Sequence, residues 1–148
     1  MKYVILWFRI FFATHLLYSA GRHYYTEWQA QLNGTGSFIQ NLVIPGAGGR
    51  FVNSLVEMGL YDIVKFIELV VGFCLLFNLF VPLMLMVELP ISFIIFYLNF
   101  IIVGTGNQLF TGPQEIILNG LLMVFYFGYY KSMLVPIAKP QPMWTFFK

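Results

Sequence analysis

The residues of this sequence that could carry chemistry are charged or amide side chains within long apolar stretches. A charged side chain in such surroundings must face protein, water or a ligand, because hydrocarbon offers it no hydrogen bond. Carboxylates beside basic groups and an imidazole could relay protons or hold the polar head of a lipid-soluble ligand. The candidate site residues are Arg9, His15, Lys65, Glu68, Glu88, Glu115 and Asn119.

Helical spacing places these polar residues on continuous faces. Residues at i, i+4, i+7 and i+11 share one face of a helix. We therefore expect the stripes to line one shared, partly polar interior, with Asp62 close enough to Lys65 for an i,i+3 pair. The three stripes are Tyr61, Lys65, Glu68 and Gly72; Glu88, Ser92, Ile95 and Asn99; and Glu115, Asn119, Leu122 and Tyr126.

Depth in a membrane suggests how the charges pair. Counting about 1.5 Å per residue from the predicted membrane edges puts Arg9 and Glu88 each about 9 Å deep from one edge. From the other edge the same count gives His15 about 8 Å and Glu68 about 12 Å. We predict the pairs Arg9 with Glu88 and His15 with Glu68; Arg9 with Glu68 stays open. Three roles for such pairs stay open. They could serve merely to fix the register of the helices, they could form a proton relay or a ligand pocket, or they could contact another subunit.

The elements that position these residues are four apolar stretches, near residues 3–20, 60–80, 82–103 and 116–136. A helix of roughly 20 residues spans a hydrocarbon core about 30 Å thick. The chain is 59% hydrophobic and only 9% charged, where soluble domains carry about 25% charged residues. The sequence predicts an all-α membrane protein, a four-transmembrane-helix antiparallel bundle. One domain covers residues 1–148, with a long loop at 21–58 and an interfacial tail at 137–148.

Prolines and glycines predict the helix boundaries. Pro82 fits the first turn of the third helix, and Gly112-Pro113 marks the start of the fourth. Pro90 falls inside the third helix and should bend it, since proline cannot donate to the carbonyl four residues back. The fourth helix should end near the first of three C-terminal prolines, Pro136, Pro140 and Pro142.

The first stretch resembles a signal peptide, but Arg9 in its middle favours a retained signal-anchor helix. Basic residues then predict topology. One side of the predicted membrane carries five basic residues: Lys2, Arg9, Lys131, Lys139 and Lys148. The other side carries two in the first loop, Arg22 and Arg50. This bias places both termini in the cytoplasm.

Several functional classes are disfavoured. No run of Lys or Arg could follow a phosphate backbone, so nucleic acid is not an expected partner. His15 and His23 are badly placed to ligate one haem, and helical Glu-x-x-His spacing is missing. The lone Cys74 has no basic partner on its face. We expect no covalently bound or metal-ligated cofactor, whereas a quinone or lipid could bind.

Short motifs along the chain resemble the DoxX family of small four-helix membrane proteins. They include Arg9 early in the first helix, the run Ser19-Ala20-Gly21-Arg22, and the sequence IELVVGFCLL over 67–76. Within that last run, Glu68 followed by Gly72 is similar to the family's second-helix pattern. Glu115 with Asn119 resembles the start of the family's fourth helix. The family's usual glycine after the second-helix motif is replaced by Asn78, and its Gly-rich C-terminus is missing.

The resemblance implies an integral subunit of the bacterial inner membrane linked to redox complexes, such as thiosulfate:quinone oxidoreductase. A quinone head group could be held by Glu68, His15 or Arg9, while partner subunits supply the electron carriers. The chain is then not catalytic alone. Its partners would be membrane lipids and other integral membrane subunits of that complex. Two alternatives stay open: a purely structural scaffold subunit of a membrane assembly, and a small proton-coupled transporter using Glu68 and Glu88.

Overall fold

The structure is a computed structural model that describes residues 2–34, 46–104, 106 and 108–131. Regular structure in this part of the chain is entirely helical, which confirms the predicted all-α class. The helices are α1 (Lys2–Leu32), α2 (Gly46–Glu57), α3 (Leu60–Leu76), α4 (Val81–Phe96), a π-helical segment (Tyr97–Val103), α5 (Gln108–Phe125) and α6 (Phe127–Tyr130).

Helix α1 is much longer than predicted, and the expected loop at 21–58 is wrong in its described parts. Residues 21–32 continue α1, and residues 46–57 form α2. Polar residues after Gly21 make local contacts within the helix, since the Thr26 hydroxyl donates to the carbonyls of Arg22 and His23, each at 2.9 Å. The His23 ring also packs edge-on against Tyr61 of α3, with centroids 5.2 Å apart. Packing against α3 therefore accompanies the continuation of α1 beyond Gly21, where the amino-acid composition predicts that the helix ends.

The turn between α3 and α4 is tight. Helix α3 ends at Leu76 and not at residue 80, and the next helix begins at Val81 with Pro82 in its first turn, as predicted. Asn78 and Phe80 have positive φ angles of 61° and 48°. Asparagine tolerates this left-handed backbone conformation better than most residues, whereas it is strained for a phenylalanine.

The third predicted helix is divided into α4 and the π-helical segment. Pro90 lies inside α4, as the sequence predicts, and the α-helical geometry continues past it to Phe96. The π-helical segment then runs to Val103 and ends at Gly104, whose φ of 59° suits glycine.

Helix α5 begins earlier than predicted. Gly112-Pro113 does not start it, because the helix runs from Gln108 with Pro113 inside. Gly112 instead lies where α5 approaches the π-helical segment closely, since a Cβ atom on it would lie 2.8 Å from Cβ of Asn99. Helix α5 ends at Phe125 and is followed by α6. The C-terminal part of the predicted fourth helix, the three prolines at its end and the tail at 137–148 lie outside the described residues.

One apolar cluster joins the four longer α-helices. Its buried members are Phe12, Ala13 and Leu16 from α1, Val71 and Leu75 from α3, Val81 and Leu85 from α4, and Leu118 and Leu122 from α5. Helix α1 packs mainly on α3, and α4 mainly on α5.

Within the described residues, two helices are long and apolar enough to cross a membrane, Tyr3–Leu32 and Val81–Val103, the latter including the π-helical segment. Only 22% and 17% of their most apolar windows are buried within the chain. A core helix of a soluble protein would bury most of its apolar surface against its neighbours. Apart from the members of the apolar cluster, most side chains of these two windows therefore keep exposed surface.

The contact between α1 and α3 depends on Gly72. A Cβ atom there would lie 2.8 Å from Cγ of Leu17 and 3.2 Å from the carbonyl oxygen of Ala13. We expect Gly72→Ala to lower the free energy of unfolding by about 1–3 kcal/mol, because the two helices must separate. Gly120→Ala is the matched control in α5, since a Cβ atom there meets nothing within 4 Å.

Thermal unfolding of both variants in detergent measures this difference. Gly120→Ala should be neutral or slightly stabilising, because alanine has the higher helix propensity. Equal melting temperatures for the two variants would contradict the close packing of α1 on α3.

Candidate functional site

The interior of the helices contains a charged pair within α3. Lys65 Nζ donates to both carboxylate oxygens of Glu68, at 2.7 and 2.8 Å, and lies 2.9 Å from Ser19 Oγ of α1. Lys65 is 8% exposed and Glu68 is fully buried. The i,i+3 spacing on one helix gives this pair its geometry. The ammonium therefore neutralises Glu68 and ties α3 to α1.

The predicted pair of Arg9 with Glu88 is wrong. Arg9 Nη1 donates to the side-chain oxygen of Asn78, in the turn after α3. The Glu88 side chain is fully buried in α4, and both of its carboxyl oxygens lack a hydrogen-bond partner among the described residues. The depth estimate from the sequence missed the contact between Arg9 and Asn78. The turn after α3, which contains Asn78, brings another hydrogen-bond acceptor to the depth of Arg9.

The predicted pairs His15 with Glu68 and Asp62 with Lys65 are also not the ones that the structure forms. No hydrogen bond joins His15 to Glu68 within the described segments, although the partly exposed imidazole interacts electrostatically with Glu68. Asp62 pairs with His23 at 3.0 Å and not with Lys65. Lys65 is turned towards Glu68, which lies on the same face of α3 one turn later.

The His23–Asp62 pair borders a cavity of about 260 Å³ where α1, α2 and α3 meet. His23 is buried, whereas the Asp62 side chain is 70% exposed. The cavity is lined by acidic, aromatic and amide side chains and one aliphatic side chain: His23, Tyr24, Glu27, Gln31, Val56, Tyr61 and Asp62. This cavity lies at the end of α3 where Lys65 begins the buried polar stripe.

Glu115 and Asn119 lie on the buried face of α5. Glu115 is 3% exposed and interacts electrostatically with Glu68 and Lys65 of α3. The buried carboxyl groups of Glu88 in α4 and Glu115 in α5 both interact electrostatically with the Lys65–Glu68 pair of α3. Carboxyl groups in this position can accept hydrogen bonds from a polar ligand.

Asn119 bridges α5 to α4 next to Pro90. Its hydrogen bonds are best satisfied when its amide oxygen accepts from Ser92 Oγ and from the Leu89 amide, and its nitrogen donates to the Leu85 carbonyl, each at 3.2 Å. These backbone groups belong to the turn of α4 that precedes Pro90. The side chain of Asn119 therefore ties α5 to the backbone of α4 in the turn before Pro90; the carbonyl that loses its helical donor to the proline is that of Met86.

We expect Asn119→Leu to lower stability by about 1–3 kcal/mol, because several buried polar groups lose a partner at once. Ser92→Ala removes only one of the bridged groups and should cost less. Thermal unfolding of both variants tests the bridge. A larger loss for Ser92→Ala than for Asn119→Leu would contradict it.

Sequence reasoning missed Ser19, His23 and Asn78. Ser19 lies just before residue 20, where the first helix is predicted to end, and His23 lies just beyond it. Both nevertheless follow His15 at four-residue intervals. The same helical spacing that identified the other stripes could have found them. Asn78 carried no comparable signal, because its role depends on the conformation of the turn.

Metal ligation finds no support in the arrangement of side chains. Over residues 2–34, 46–104, 106 and 108–131, no three His, Cys, Asp or Glu side chains are grouped so that they could hold a metal ion. The expectation that the chain lacks its own metal cofactor stays a prediction.

Comparisons of the chain with protein-family models, with characterised proteins and with solved structures found no match in any of the three. The likeness to the DoxX family therefore stays a prediction from short motifs.

Proposed function

We propose that this chain is an integral membrane protein that serves as an accessory subunit of a larger, quinone-linked membrane redox complex. The observation that carries the proposal is the buried charged cluster around Glu68, enclosed by helices whose outer surfaces are apolar. Ionisable groups inside such helices are costly in lipid and commonly mark proton or ligand sites.

The proposed architecture is a four-helix antiparallel bundle made by α1, α3, α4 with the π-helical segment, and α5. Residues 77–80 alone connect α3 to α4, and short connections favour antiparallel neighbours. Helices α3 and α5, with 17 and 18 residues, approach the length that spans a bilayer. Both termini would then lie on one side, which the basic residues place in the cytoplasm.

The length of α1 fits this arrangement. Its 31 residues extend about 46 Å, which exceeds a hydrocarbon core of about 30 Å. Its C-terminal part would emerge from the membrane with Tyr25 and Trp28, which are 59% and 55% exposed. Aromatic side chains of this kind favour the head-group level.

The redox role rests on the chemistry of the cluster and on the DoxX likeness. Carboxyl groups of Glu68 and Glu115 could accept hydrogen bonds from the head group of a lipid-soluble quinone or take up its protons. Partner subunits of the complex would supply the electron carriers. By the same likeness, the complex would lie in a bacterial inner membrane.

The test is Glu68→Gln, which keeps the side-chain volume and a hydrogen-bond acceptor for Lys65 but removes the ionisable group. We expect quinone-linked turnover of the complex to fall at least tenfold, since proton transfer by a positioned group is worth about 10²–10⁴-fold. Turnover is compared per assembled complex, because the buried Lys65 ammonium loses its charge partner and the amount of assembled complex should fall as well. Glu57→Gln, at an exposed position of α2, is the control and should leave both unchanged.

A second candidate is the structural scaffold. The observation that favours it is the closed Lys65–Glu68 pair, in which each charge already satisfies the other. In that case Glu68→Gln would reduce the amount of assembled complex, and turnover per assembled complex would stay at the level of the unchanged protein.

A further inference from the structure

The cavity where α1, α2 and α3 meet has a wall that contacts between two helices hold in place. Nε2 of the buried His23 lies 3.0 Å from Oδ1 of Asp62, in the first turn of α3. The His23 ring also lies against Tyr24 and Tyr61, with ring centroids 5.1 and 5.2 Å away. These four side chains join the last part of α1 to the start of α3, and all four line the cavity.

The charges that line the cavity favour a cation as its ligand. Glu27 and Asp62 are acidic, and the lining contains neither lysine nor arginine among the described residues. The basic side chain of the lining is His23, whose ring is already bonded to Asp62. An anionic ligand would therefore be repelled by two carboxylates, whereas a cationic ligand would be attracted to them.

The aromatic side chains of the lining favour an organic ammonium group over a metal ion. Tyr24 and Tyr61 both line the cavity. An ammonium group is attracted to the face of a tyrosine ring, and the Lys65 ammonium lies 5.6 Å from the ring centroid of Tyr61 in this protein. A metal ion would need closely grouped ligands, and the part of the chain that the structure describes contains no such group of three His, Cys, Asp or Glu side chains.

The size and position of the cavity indicate which molecules could bring that ammonium group. Its volume of about 260 Å³ is below the roughly 300–1,000 Å³ of sites for drug-sized ligands. A small amine or the head group of a larger molecule is therefore the right size. The exposed Tyr25 and Trp28 lie in the same part of α1, and such residues favour the head-group level of a membrane. Soluble amines and lipid head groups could both reach this level.

We propose that this cavity binds an organic ammonium group, with Glu27 and Asp62 supplying opposite charge and Tyr24 and Tyr61 supplying aromatic surface. The group belongs to a small soluble amine or to the amine head group of a phospholipid. The inference does not depend on the redox role, because it rests on the lining of the cavity. Its phospholipid source depends on the proposed membrane position of α1, whereas its soluble source does not.

The first experiment is isothermal titration calorimetry of the full chain in an uncharged detergent, with choline chloride and ethanolamine hydrochloride as probes. Ionic strength is kept low and matched with sodium chloride, since salt screens charges at a partly open site. The neutral control is 3,3-dimethylbutan-1-ol, which has the shape of choline without its charge. We expect saturable binding of one amine per chain, and binding of the neutral alcohol about tenfold weaker.

Two variants locate the binding in the cavity. Val56→Phe fills the space from α2 and should abolish binding, whereas Leu55→Phe, at a neighbouring position outside the lining, should leave it unchanged. Asp62→Asn removes one charge but keeps an oxygen for His23, and should weaken choline binding about threefold to fivefold. Glu57→Gln, exposed and outside the lining, is the matched charge control. Thermal unfolding of each variant checks that it is folded.

Native mass spectrometry distinguishes the two sources of the ammonium group. The chain is extracted from vesicles of equal parts phosphatidylethanolamine and phosphatidylglycerol. Preferential retention of phosphatidylethanolamine, lost in Val56→Phe, assigns the site to a lipid head group, whereas amine binding without that preference assigns it to a soluble amine. The proposal is overturned if neither amine binds and no lipid preference is found, if the neutral alcohol binds as tightly as choline, or if Val56→Phe and Asp62→Asn both leave binding unchanged.

Discussion

Replacing Lys65 with methionine should lower the free energy of unfolding by about 3–5 kcal/mol, one of the largest effects expected of any single substitution here. Methionine fills similar space but leaves Glu68 buried without the two hydrogen bonds from Nζ. A buried carboxylate without a partner is far less stable than a complete pair. Lys131→Met, at an exposed position after α6, is the control and should change stability little.

The double variant Lys65→Met with Glu68→Leu separates loss of the pair from loss of packing. Removing both charges together should recover most of the stability, because a buried ion pair and well-packed apolar side chains of similar volume differ little in free energy. Unfolding in mixed detergent micelles, analysed as a double-mutant cycle, gives the coupling energy. A double variant less stable than Lys65→Met alone would contradict a mutually satisfied pair.

Phe93→Arg should strongly reduce insertion of the chain into membranes. Phe93 is 56% exposed near the middle of the Val81–Val103 span. An arginine at the centre of a transmembrane helix costs about 2.5–3.5 kcal/mol on insertion scales. Leu83→Arg is the matched control, since Leu83 is 54% exposed but lies near the end of the span, where a long side chain can reach the interface.

Alkaline extraction of membranes that contain each variant measures the inserted fraction. Phe93→Arg should shift the chain into the extracted fraction, whereas Leu83→Arg should remain in the membrane. Equal behaviour of the two variants would mean that the outer face of α4 does not lie in lipid.

The helical class and the polar stripes could be predicted from the sequence because they depend on local periodicity. Glu88 and Asn119 have the spacing of a buried helix face, and the structure buries both completely. The start of α4 could also be predicted, since proline in the first turn, here Pro82, is a local signal.

The extension of α1 and the start of α5 could not be predicted in the same way. Gly21 and the polar residues that follow it are typical of a loop, and Gly112-Pro113 of a helix start. In the structure, His23 of α1 bonds to Asp62 of α3, and α5 approaches the π-helical segment so closely at Gly112 that only glycine fits beside Asn99. Such contacts are tertiary and leave no trace in local composition.

The pairing of charges was the hardest feature to predict. The Lys65–Glu68 pair needs only helical spacing, yet depth arguments favoured His15 as the partner of Glu68. Depth depends on where each helix meets the membrane, and an error of one turn, about 5.4 Å, changes every partner. Interactions within one helix are therefore safer predictions than interactions between helices.

The most direct test of the proposed function is purification of the tagged chain from its native membranes in mild detergent, followed by mass spectrometry of all proteins and extracted quinones. The proposal predicts a stoichiometric set of membrane oxidoreductase subunits that carry the redox cofactors, with quinone present. Recovery of the chain by itself, without quinone and without redox subunits, would contradict it.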